Sequence, residues 1–80
     1  MKTIFNPVYV KLINTLKQCR LERGFTQAHV AHRLGRSRTW VGKVEQCERR
    51  LDVIEVRDLC GLYGIDFHEV TAELAEKEDP

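Results

Sequence analysis

Residues 24–45 read Gly-Phe-Thr-Gln-Ala-His-Val-Ala-His-Arg-Leu-Gly-Arg-Ser-Arg-Thr-Trp-Val-Gly-Lys-Val-Glu, and this stretch decides the fold. Thr26 is a good N-cap for a short helix whose inward positions are Val30, Ala31 and Leu34. Gly35 stops that helix by taking the positive φ that a Cβ would penalise. Ser37 caps the next helix, with Val41 and Val44 on its apolar side. Ala31, Gly35 and Val41 each have a physical role in this arrangement. A small residue at 31 lets two helices cross closely, Gly35 makes the turn, and Val41 fills the angle between them. That is the description of two helices joined by a tight turn, the second of which is free to enter a DNA major groove.

Helix punctuation is dense on both sides of this stretch, and strand signals are weak. Asn6-Pro7 starts the first helix, since Asn caps well and Pro is preferred at the next position. Phe5 and Val10 are spaced for a hydrophobic staple across that start. Val8, Leu12, Ile13, Leu16 and Cys19 then recur at helical steps until Gly24. Cys47 to Arg50 read as a loop. Asp52 with Glu55 forms a capping box opening a helix through Val56, Leu59, Cys60 and Tyr63, closed by Gly64. Asp66 with Glu69 repeats the device for a last helix carrying Phe67, Val70 and Leu74. The expectation is an all-α, compact five-helix fold over one domain, residues 1–80, with its core in 7–75 and residues 76–80 frayed.

Composition bounds what such a chain does. A chain of 80 residues buries only roughly 60–65% of its unfolded surface, enough for one core but not a deep catalytic cleft. No apolar stretch is long enough for a membrane span or a signal-peptide core, which points to the cytoplasm and away from a membrane partner. Cys19, Cys47 and Cys60 are odd in number and lie 28 and 13 positions apart, so reduced thiols fit better than a disulfide scaffold. The net charge of +1 conceals a strong asymmetry. Residues 1–51 carry eleven Lys/Arg against three acids, and residues 52–80 carry nine acids against two bases. The first part suits a polyanion, whereas the second would repel one.

The segment 16–70 resembles the phage repressor and Cro type of helix-turn-helix regulator, the XRE family. The matching residues are Gly24, Thr26, Gln27, Val30, Ala31, Leu34, Gly35, Ser37 and Glu45. The resemblance implies a lambda-repressor-like fold and sequence-specific binding of double-stranded DNA. It implies a recognition helix over 37–46 in the major groove, and a homodimer on a two-fold operator. By position, Arg38, Thr39 and Lys43 are expected at base edges, where Arg and Lys suit guanine O6 and N7. Gln27 matches a family glutamine that touches phosphate and supports the recognition helix. Arg36 and Ser37 lie at the helix start, where unpaired N–H groups favour phosphate, and Arg49 and Arg50 look like backbone clamps. Arg20 and Glu45 match the family's internal ion pair.

Two positions depart from the family pattern. Gly42 stands where serine is common and is read as room for DNA or for a neighbouring helix. Cys47 stands where glycine is often found, which leaves the exit from the recognition helix open.

Competing readings apply at several residues. Trp40 either packs across its helix or offers its indole N–H to phosphate or sugar; aromatic residues are frequent here in the family, which favours the DNA backbone. His29 and His32 have a metal-compatible spacing, but no third ligand is well placed, so no metal or cofactor is expected. No serine or cysteine is flanked by a base and an orienting group, so no enzyme is expected. The acidic C-terminal helix is read as solvated, as a subunit contact, or as the site of a protein partner. The chain thus resembles restriction–modification controllers and short phage or plasmid repressors of the prokaryotic cytoplasm. No effector domain falls within it. The rival reading is an antitoxin-like interaction module whose acidic helix binds a basic protein.

Overall fold

The computed structural model describes residues 4–75. Five helices follow in order: α1 (Pro7–Glu22), α2 (Gln27–Leu34), α3 (Arg38–Glu45), α4 (Val53–Tyr63) and α5 (Phe67–Ala75). No strand occurs among the described residues. The expected fraying of 76–80 lies outside them.

A side-chain oxygen caps the start of each of these helices. The Asn6 carboxamide oxygen accepts from the N–H groups of Val8 and Tyr9 at 3.0 and 3.1 Å, with Pro7 in the first turn. Thr26 Oγ1 accepts from His29 N–H and Ser37 Oγ from Trp40 N–H, both at 3.0 Å. The box at α4 is complete: Asp52 accepts from Glu55 N–H at 2.7 Å, and Glu55 Oε1 accepts from Asp52 N–H at 2.9 Å. At α5 the second box does not form, and a simpler cap takes its place. Asp66 accepts from His68 N–H at 3.1 Å, and no return bond from Glu69 forms among the described residues. Gly35 ends α2 in the left-handed region (φ +66°), which allows the sharp turn into α3.

The core gathers Tyr9, Leu12, Ile13 and Leu16 of α1, Val30 and Ala31 of α2, and Val41 and Val44 of α3. Val56, Leu59, Cys60 and Tyr63 of α4 complete it, with Cys47 and Leu51 from the intervening loop. Two expectations about α1 are corrected. Phe5 is 81% exposed and cannot staple onto Val10. Val8 is exposed, and the inward face starts at Tyr9 instead, because the Tyr9 hydroxyl has a partner inside. That hydroxyl accepts from Leu51 N–H at 3.0 Å and ties the α3–α4 loop to α1. Helix α5 contains no fully buried residue; Phe67 and Val70 pack against the core from outside, whereas Leu74 is exposed. A Lys11–Glu73 ion pair joins α1 to α5 at the surface.

Cys47 supplies the exit left open by the sequence. It is the one described non-glycine residue at positive φ (+59°), and its side chain is buried. A cysteine thus takes a glycine-type conformation, which costs an L-residue roughly 1–2 kcal/mol. Cys47→Gly is expected to leave stability within about 1 kcal/mol, because relief of this strain offsets the lost sulfur packing and the extra chain entropy. Cys47→Val is expected to lose about 1–3 kcal/mol, since a β-branched residue fits this region badly. Urea unfolding of the two variants checks the ordering.

Burial raises the pKa of all three thiols and of Tyr9 and Tyr63. For Tyr63 the Glu45 charge adds to the effect. In each case the unfolded chain loses its proton first. Stability from these groups is therefore fully present below the ordinary thiol value of about 9 and falls as the pH rises beyond it. Urea midpoints that decline between pH 8.5 and 10.5 are the expected result.

Candidate nucleic-acid interface

Residues 35–37 join α2 to α3, and the buried side chains of Val30, Ala31, Val41 and Val44 hold the two helices together. The opposite face of α3 is open. Arg38 and Thr39 are exposed and Lys43 is partly so. Among the described residues, none of these three side chains makes a hydrogen bond or ion pair. A shallow groove along this face is lined by Gln27, Arg38, Thr39, Gly42, Lys43, Gln46 and Glu48. Gln46 and Glu48 are additions that helical periodicity alone did not single out, because both lie at or beyond the end of α3.

Beneath this face lies a buried polar knot. Arg20 Nε and Nη2 donate to the two carboxylate oxygens of Glu45 at 2.6 and 3.0 Å, and Arg20 Nη1 donates to the Phe25 carbonyl at 2.8 Å. The paired side chains are only 8% and 7% exposed, so this is an internal tie from α1 to the end of α3. The Gln27 amide nitrogen donates to Glu45 at 3.0 Å, buttressing the same carboxylate from the start of α2. One amide N–H of Gln27 is left for another acceptor.

Gly42 adjoins this knot. Among the described residues, a Cβ there would meet only the Gln27 amide oxygen, at 3.7 Å, an ordinary contact. No neighbouring helix therefore requires glycine at this position. Gly42→Ala is expected to stabilise the protein by about 0.5–1 kcal/mol through helix propensity. If DNA affinity falls while thermal stability rises, the space belongs to DNA.

At the other edge of α3, the half-buried Trp40 ring carries two cations. The Arg36 and Arg49 guanidinium carbons lie 4.8 and 5.8 Å from its ring centroid. Its Nε1 is buried and has no hydrogen-bond partner among the described residues, so Trp40 presents its ring as a platform rather than its N–H. Arg36 also donates to Glu55 at 2.8 Å. Arg50 stacks on Tyr9, 5.4 Å from the ring centroid. Ser37 Oγ is engaged in capping α3. His29 packs on Phe25 (centroids 4.7 Å apart), and no cluster of three or more His, Cys, Asp or Glu suited to a metal occurs among the described residues.

Two helices set by a three-residue turn, with a basic exposed face on the second, define a helix-turn-helix domain of the DNA-binding class. The helix-turn-helix domain family matches residues 12–74. A solved structure of similar fold, described as an XRE-family like protein from Pseudomonas syringae pv. tomato str. DC3000, is 42% identical in sequence, with a TM-score of 0.77. That similarity covers 84% of this chain and 82% of the other. Among curated proteins, none matches the chain. The chain belongs to the helix-turn-helix family, of the XRE type, whose members are DNA-binding transcriptional regulators. No described helix is long and apolar enough to cross a membrane.

Proposed function

We propose that this protein is a sequence-specific regulator that inserts α3 into the major groove of double-stranded DNA as a homodimer on a two-fold operator. The observation that carries this reading is the open basic face of α3, where Arg38, Thr39 and Lys43 stand without side-chain partners among the described residues, over a rigid support. Arg38, Thr39 and Lys43 read base edges. Gln27, Arg36, Ser37, Arg49 and Arg50 meet the phosphates, with Trp40 contributing as the platform for two of these cations. Dimerisation is supported by exposed apolar side chains outside the basic face, among them Val53, Ile54 and Leu74. Two subunits would meet half-sites about 34 Å apart.

Trp40 supplies the test. Mixed-sequence duplex titrated into the protein is expected to change tryptophan emission saturably, with an affinity that falls steeply with salt. Selection from a random duplex pool then yields the operator, and sedimentation with and without that operator reads the subunit count. An unchanged emission at low salt, together with no mobility shift, overturns the reading and directs attention to a protein partner for the acidic C-terminal helix.

A further inference from the structure

Trp40, Arg36, Arg49 and Glu55 form one electrostatic unit at the edge of α3. The Glu55 side chain is 10% exposed, too enclosed to meet a macromolecular ligand itself. Its Oε1 is held by the α4 cap. Its Oε2 accepts from Arg36 Nη2 at 2.8 Å and lies 3.6 Å from Arg49 Nη2. The two arginines come from the chain segments on either side of α3, and both lie over the Trp40 ring. Their side chains remain 42% and 44% exposed; Arg49 Nη1 also donates to the Arg50 carbonyl at 2.7 Å, and the guanidinium N–H groups outside these bonds are left for an outside acceptor. Asp58 also borders this site but pairs with Arg57 at 3.1 Å.

We propose that Glu55 is an internal counter-anion that limits the grip of Arg36 and Arg49 on the DNA backbone. The inference rests on the reading of these arginines as phosphate contacts. Two guanidiniums sharing one carboxylate carry a net charge of +1. A phosphate therefore meets a unit able to replace about one condensed counterion rather than two. Each phosphate neutralised contributes about −0.9 to the slope of log affinity against log salt. Glu55 thereby sets how strongly, and with what salt sensitivity, the protein holds any duplex. The stacking on Trp40 matters because it keeps both cations beside the carboxylate.

Glu55→Gln tests this directly. Glutamine is the other residue that a capping box accepts at this position, so the α4 start is retained, and thermal melting verifies the fold. On mixed-sequence duplex the variant is expected to bind more tightly at low salt. Its salt slope is expected to steepen by about 0.9, equivalent to about 3.5-fold more affinity lost between 50 and 200 mM salt.

The double variant Arg49→Gln/Glu55→Gln restores the unit to +1 and must return to the parent slope. If Arg49 met phosphate with no opposition from Glu55, the double variant would instead be shallower than the parent by about 0.9. Should Glu55→Gln alone melt too early because two guanidiniums are left unopposed, the double variant, which removes one of them, decides the matter. A folded Glu55→Gln protein with an unchanged or shallower slope overturns the proposal. A parent protein that shows no salt-dependent binding overturns the DNA-backbone reading beneath it, which is a separate and visible failure.

Discussion

Arg20→Ala is expected to lower stability by about 3–5 kcal/mol, a large share of the roughly 5–15 kcal/mol that holds a small domain together. The reason is what the substitution leaves behind. Glu45 would remain as an enclosed carboxylate with, among the described residues, only the Gln27 amide donating to it, and the Phe25 carbonyl would lose its donor from Arg20. Arg20→Lys is expected to recover only part of the loss, because one ammonium cannot reproduce the three-directional fork. Urea unfolding measures the deficit. Binding of DNA by Arg20→Ala should follow its folded fraction and return when a stabilising osmolyte restores that fraction. An Arg20→Ala protein with parental stability would show that the tie contributes nothing.

Arg38→Ala and Lys43→Ala are expected to act at the opposite link, on recognition rather than folding. Both side chains lack protein partners among the described residues, so stability should stay within about 0.5 kcal/mol of the parent. A bidentate contact to a base is worth about 1–3 kcal/mol of discrimination, so losing Arg38 should weaken operator binding roughly 5- to 150-fold. Affinity for mixed-sequence duplex should change less, and the preference at one operator position should relax. The two variants together approach non-specific binding. A different pattern would reassign the residue. If Arg38→Ala weakens all sequences equally and makes the salt slope shallower by about 0.9, Arg38 meets phosphate.

The five helices and the turn between α2 and α3 were legible in the sequence because each rests on local geometry. A cap oxygen reaches an N–H two or three residues on, and a glycine accepts a positive φ whatever surrounds it. Thr26, Ser37, Gly35 and the Asp52–Glu55 box all work at this range. The basic character of α3 was legible for the same reason, since helical periodicity separates Val41 and Val44 from Arg38 and Lys43.

Tertiary structure decided what those side chains meet. The partners of Tyr9 and Arg36 lie 42 and 19 residues away, at contacts that depend on how the helices cross rather than on spacing along the chain. Periodicity took Val8 for an inward residue, whereas packing turned Tyr9 inward and gave its hydroxyl the Leu51 N–H. Glu55 was legible as a cap, but its second oxygen became the counter-ion of Arg36 only when the start of α4 was set beside the turn between α2 and α3. Local hydrogen bonds and steric limits thus determined the elements and the turn, whereas the docking of those elements selected the charges that share a site.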